Sequence, residues 1–275
     1  MGPHTTLRKE PRLKVIDCHC HIYPEKIARV AAQSVGEFYG LPAFSACPTG
    51  EDLLRSYEGT PISRAIVHSV ATKPSNVESI NNFIAEQCRL HPEFIGFATL
   101  HPDYPNPEAE IERVMALGLK GIKLHPDMQR VNTDDPRLMR IYEAMEGRLP
   151  LMVHCGDSRP QLQFSHPRHL AAVLKAFPAL VVDAAHLGGW GVWDIAAPLF
   201  EHENCFFDVS SCLAFLDGPQ LCAIARRYGT ERVMFGSDFP IWDPARELQA
   251  VLEAGFTDAE LEGILGGNCR RYLGV

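Results

Sequence analysis

The segment Asp17-Cys18-His19-Cys20-His21 sets two imidazoles two positions apart. If the segment is a strand, side chains alternate across it, so Asp17, His19 and His21 share one face and Cys18 and Cys20 the other. Two imidazoles on one strand face can converge on a single cation, and imidazole suits zinc and several other transition metals. The two cysteines would then pack as small hydrophobes on the opposite side. Three later apolar runs, 151–154, 180–186 and 232–238, each end on a metal-capable side chain: His154, His186 and Asp238. A lone strand-end histidine is more often a hydrogen-bonded structural residue than a ligand. Five such side chains closing four runs are harder to dismiss, since in a barrel those strand ends meet at one mouth.

The elements that would position these side chains are read from alternation. Eight short β-branched or apolar runs (14–22, 64–70, 94–100, 120–125, 151–154, 180–186, 205–210 and 232–238) are separated by segments with helical spacing. Helix-end signals punctuate those segments: Pro107-Glu108 opens one that Leu117-Gly118 closes, Asp134-Asp135-Pro136 opens a second, and Ser165-His166-Pro167 opens a third. Eight strands each followed by a helix are the count of an α/β TIM barrel, whose active site lies where the C-terminal strand ends meet. An open doubly wound sheet is the alternative. Residues 23–61 form the longest connection and read as a helix plus a lid-like excursion. Residues 244–254 and 258–265 read as closing helices. One barrel over 13–275, preceded by a tail over 1–12, accounts for the chain.

The 275 residues carry 26 Lys+Arg against 34 Asp+Glu, a formal charge of -8, and 46% are hydrophobic. That balance excludes a disordered chain and offers no basic stripe for nucleic acid. No apolar run reaches the roughly 18 residues of a membrane span, and residues 1–12 lack the apolar centre of a secretory signal. Nine cysteines without a secreted framework indicate reduced thiols and a cytoplasmic setting. The expected partner is a small-molecule substrate. A homo-oligomer is compatible with the chain, although no interface is legible.

The motifs together resemble the amidohydrolase superfamily. Asp17-Cys18-His19-Cys20-His21 is similar to its Asp-x-His-x-His signature, and His154, His186 and Asp238 fall at its strand-five, strand-six and strand-eight positions. Gly236-Ser237-Asp238-Phe239-Pro240, His186-Leu187-Gly188-Gly189 and the closing segment 267–274 resemble the amidohydrolase-related branch, which includes aminocarboxymuconate-semialdehyde decarboxylase, resorcylate decarboxylase and pyrone-dicarboxylate lactonase. The resemblance implies a distorted barrel holding one divalent metal, zinc foremost and manganese as the alternative. It implies His19, His21, His154 and Asp238 as ligands, with His186 and Asp238 catalytic.

Other residues admit two readings each. Lys123 could bridge a second metal as a carboxylated lysine or serve as a buried counter-ion, and His125 could meet substrate or be structural. Arg130 and Arg159 could hold a substrate carboxylate through paired hydrogen bonds or be solvated. Trp190, with Trp193 and Trp242, could wall a pocket for a planar substrate or pack helices. His68 and His101 read as structural. The leading activity is hydrolysis of a small ester, lactone or amide by metal-activated water. The alternatives are non-oxidative decarboxylation of a hydroxylated aromatic or unsaturated acid, and a metal-binding barrel without turnover.

Overall fold

Eight strands run in chain order: β1 (Val15–His21), β2 (Ile62–His68), β3 (Phe94–Thr99), β4 (Gly121–Leu124), β5 (Leu151–Val153), β6 (Val182–Ala184), β7 (Phe206–Asp208) and β8 (Val233–Met234). The computed structural model describes residues 14–275, so the tail expected over 1–12 lies outside the described residues. Each strand pairs in parallel with the next. The ring closes where Cys18 N–H donates to Phe235 O (2.9 Å), Asp238 N–H to His19 O (2.9 Å) and His21 N–H to Phe239 O (2.7 Å). The barrel expected from the alternation is the one observed, with every strand falling within or beside its apolar run.

Side chains facing outward, such as Cys20, Val67, Ala98, Leu124 and Val153, pack beneath the helices in the larger apolar cluster. Those facing inward at the floor, Ile16, Ile66, Phe97, Met152 and Met234, form a second cluster. Glycine at 121 is required there: a Cβ would come within 2.4 Å of the Phe97 ring in the paired strand. The helix Asn268–Leu273 plugs this floor with Tyr272, whose ring lies 6.1 Å from that of Phe97 and 5.5 Å from that of Phe206. Closing helices occur at Pro244–Glu253 and Asp258–Glu262 as expected, and the floor plug is a third that the spacing did not reveal.

The alternation assumed for β1 needs correction. Asp17 pairs with Ala65 and Cys20 with Val67, three steps on one strand against two on its neighbour. This bulge spends one extra residue and resets the facing of everything before it. Asp17 therefore turns outward, accepting from Tyr57 Oη (3.1 Å) and from Ser237 N–H (2.9 Å). Cys18 turns inward and joins Ile16 and Phe97. His19 and His21 still face inward and Cys20 outward.

The long connection folds as two helices, α1 (Glu25–Tyr39) and α2 (Gly50–Ser56). The end of α1 overhangs the mouth of the barrel, placing Phe38 and Tyr39 in the wall of its cavity. Among the described residues no helix is long and apolar enough to cross a membrane.

Candidate active site

Two of the candidate residues leave the strands in an uncommon backbone conformation. Among the described residues, five non-glycine positions have positive φ: Arg130 (53°), His186 (61°), Leu187 (51°), Ser211 (58°) and Asp238 (58°). All five lie in connections leaving the C-terminal ends of strands. Such conformations cost free energy and persist where the surrounding structure imposes them, as functional sites do. Here they aim His186 and Asp238 into the mouth.

Hydrogen bonds fix which ring nitrogens carry protons. Asp208 Oδ2 accepts from His19 Nδ1 at 2.8 Å, so the His19 Nε2 carries the lone pair, which Lys123 Nζ meets at 3.0 Å. His19 Nε2 also lies 3.6 Å from Asp238 Oδ1, and His21 Nε2 lies 3.6 Å from the same oxygen. His186 Nδ1 donates to the Ser210 carbonyl (2.9 Å), so its Nε2 accepts from His154 Nδ1 at 3.0 Å. His154 Nε2 is then a bare lone pair, buried and without a hydrogen-bond partner, 3.9 Å from Asp127 Oδ2. His68, packed 4.4 Å from the His21 ring and 5.1 Å from that of His19, leaves both its nitrogens buried and unpartnered.

Buried nitrogens without partners, as on His68 and His154, are costly unless something binds them, and His19 and His21 turn their Nε2 atoms to one oxygen of Asp238, so the donor set fits a cation. Burial pushes His19, His21, His68 and His154 well below the usual imidazole range, keeping them neutral and their lone pairs available. The structure brings His19, His21 and Asp238 together. It places His154 on the same cavity but turns its free nitrogen toward Asp127, so the expected foursome is three residues plus a neighbour joined through His186. His68, read from sequence as structural, stands with the donors: its ligand atoms and those of His19 and His21 lie within 4.8 Å of one another.

Lys123 points inward from β4, and its Nζ lies 3.0 Å from His19 Nε2. Burial lowers its pKa against the pull of Asp208 and Asp238. The bulge turns Asp17 away, so Lys123 sits among the histidines with Asp208 and Asp238 as the carboxylates that act on its charge. Burial also raises the Asp238 carboxyl, while Ser211 Oγ–H donates to its Oδ2 at 2.6 Å and lowers it. Trp242 Nε1 donates to that serine (2.8 Å) and Trp193 Nε1 to the His186 carbonyl (2.9 Å), so both tryptophans brace site residues.

A cavity of about 370 Å³ opens above the donors. His125 and Arg130 line it, and Trp190 lines a small adjoining recess with Tyr39. Arg159 is not in its wall. Its guanidinium is committed to Asp157 (2.7 Å between Nη2 and Oδ2), donates to the Phe38 carbonyl, and lies over the Phe38 and Tyr39 rings at 5.0 and 5.5 Å. Arg159, which the sequence left as a substrate-carboxylate holder or a solvated side chain, clamps the end of α1. Sequence reasoning passed over Tyr39, Asp208 and Ser210. The last two carried a signal, being polar residues at alternate positions of the apolar run 205–210; Tyr39 carried none.

The amidohydrolase family model matches residues 16–275. No curated protein sequence matches the chain. Among solved structures, an uncharacterised TIM-barrel protein from Bordetella bronchiseptica superposes with a TM-score of 0.77 at 18% identity, over 95% of this chain and 99% of that one. The 5-carboxyvanillate decarboxylase of Sphingomonas paucimobilis gives 0.76 at 17% identity, over 96% and 99%. A dihydroxybenzoic acid decarboxylase from Polaromonas, solved with manganese and 2-nitroresorcinol, gives 0.74 at 17% identity, over 95% and 97%. At such identities the likeness is one of fold.

Proposed function

This chain belongs to the amidohydrolase family, and on that premise we propose that it is a metal-dependent decarboxylase of a small hydroxylated aromatic acid. The observation that carries this reading is the chemistry of the cavity. Neutral imidazoles and a carboxylate gather at one end, while Ala31, Val35 and Phe38 of α1, with Val70 and Ile241, supply apolar walls suited to a planar ring. The decarboxylases that share the barrel support it over the hydrolase favoured by the motifs.

In this reading His19, His21 and Asp238 would hold one divalent ion, and His154, whose free nitrogen faces Asp127, would turn toward it to serve as fourth ligand. When bound, the ion supplies Lewis-acid polarisation of the substrate's carboxylate and neighbouring oxygen. Manganese, present in three of the solved decarboxylase structures, joins zinc as a candidate. The chain's own part is proton delivery. The Asp238 carboxyl, which lines the cavity, transfers a proton to the ring carbon bearing the carboxylate. The bond to the carboxyl carbon then breaks, its electron pair returns to the ring, and carbon dioxide leaves. A proton from solvent restores Asp238. Ser211, braced by Trp242, fixes the orientation of that carboxyl.

The test is a panel of hydroxybenzoic acids, lactones and small amides offered to protein loaded with manganese or zinc. Carbon dioxide should be released from one or more of the aromatic acids, and Asp238→Asn should abolish it. Acid released from a lactone or amide without carbon dioxide would return the assignment to hydrolysis.

A further inference from the structure

One polar contact in the cavity has a direction that the backbone dictates. His125 caps the short helix Pro126–Gln129, and its Nδ1 accepts from Met128 N–H at 3.3 Å. A proton on Nδ1 would set two N–H groups against each other, so the proton belongs on Nε2. That nitrogen lies 2.6 Å from Tyr39 Oη. The imidazole therefore donates to the phenol, and the phenol cannot donate back. Its own proton has no acceptor among the described residues, and the Tyr39 ring lines the cavity.

Three further observations show that this hydroxyl is built in place. The Arg159 guanidinium lies over the Tyr39 ring and binds the carbonyl of Phe38, the residue before it. The Trp190 ring meets the Tyr39 ring edge-on at 5.1 Å. The same short helix that His125 begins ends at Arg130, which also lines the cavity and adopts φ 53°. Arg159 is paired to Asp157, whereas Arg130 has no carboxylate at ion-pair distance among the described residues.

We propose that Tyr39 is a substrate-binding hydrogen-bond donor: held by His125, it gives its phenolic proton to an anionic oxygen of the substrate, with Arg130 supplying the counter-charge. The inference rests on the reading of the cavity as an aromatic-acid site and deepens it. The substrate must present an oxyanion, carboxylate or phenolate, toward α1 as well as one toward the donors.

Binding, not turnover, tests this. Zinc-loaded protein and its Tyr39→Phe variant are titrated with 2-hydroxybenzoate, 2,6-dihydroxybenzoate and 5-carboxyvanillate. Losing one hydrogen bond to a charged acceptor should weaken the tightest of these by about ten-fold or more, with zinc content and melting temperature unchanged. In parallel, nitrogen-15 histidine spectra should show His125 protonated at Nε2. Equal affinities, or a proton on His125 Nδ1, would overturn the role of Tyr39 while leaving decarboxylation in place. Binding that depends on Tyr39 without release of carbon dioxide would support Tyr39 and sink decarboxylation. Binding of none of the three acids by wild type would overturn both.

Discussion

The two ends of this barrel are made by the same eight strands and obey opposite rules. At the floor, Ile16, Ile66, Phe97, Met152 and Met234 interlock under Tyr272, and glycine is placed where a ring needs room. At the mouth, His68 and His154 keep buried nitrogens without partners, and Arg130, His186 and Asp238 hold left-handed backbone angles. Packing stabilises the first region; the second gives up stability to hold chemistry ready. The difference teaches that burial alone does not distinguish core from site. What distinguishes them is whether the buried groups are satisfied.

The largest expected effects come from one substitution at each end. His21→Ala removes a donor whose side chain makes no hydrogen bond to another side chain, so its loss orphans nothing new. Metal content should fall from about one ion per chain to near zero and activity by about 1,000-fold or more, with little change in the melting temperature of chelator-treated protein. Phe97→Ala should do the reverse. It should cost about 3–5 kcal/mol of stability while the folded fraction keeps its metal. Elemental analysis beside thermal unfolding reads both. If His21→Ala destabilised the metal-free protein as much as Phe97→Ala, the two ends would not differ as described.

A smaller effect lies at the joint between them. Asp208 sits on β7 just below the mouth, orienting His19 through Nδ1 and accepting from His186 N–H (3.2 Å) and Ser210 N–H (3.0 Å). Asp208→Asn keeps the shape but weakens the hold on the His19 tautomer. Metal affinity should drop about 10–100-fold, less than for His21→Ala. Affinity equal to wild type in a metal-buffered titration would show that His19 needs no orienting partner.

The strands were legible in the sequence, the mouth only partly so and the floor plug not at all, for physical reasons. Apolar alternation is a local signal, which is why all eight strands could be placed. The strand-end residues His19, His21, His154, His186 and Asp238 were visible because each closes such a run. The facing of Asp17 and Cys18 was not, since a bulge is one residue of slippage against a partner strand and leaves no mark on local alternation. Tyr39 lay hidden because its place depends on where α1 ends over the mouth. The role of Arg159 stayed open for the same cause: its partners Asp157 and Phe38 are brought together by the folded path of the loop after β5 and the end of α1.

The smallest effect concerns the charge carried near the mouth. Glu247, on the helix Pro244–Glu253, is pushed up from the usual 4.5 to about 7, first by burial and then by Asp238, Asp17 and Asp243. Between those two values the folded chain holds a proton that the unfolded chain has released. Stability therefore falls as pH rises through that window, and the full cost is present above pH 7. Glu247→Gln removes the charge and with it the cost. The shift sets a ceiling of about 3 kcal/mol, and partial exposure and solvent screening reduce it to about 1 kcal/mol, or about 2–4 °C. The variant should melt higher than wild type at pH 8 by that margin and equally at pH 4.5. Both proteins are measured with chelator, so that ligand protonation cancels between them. A gain independent of pH would mean that Glu247 is merely ill-packed, and that the carboxylates near the mouth do not strain the end of the barrel that the floor leaves relaxed.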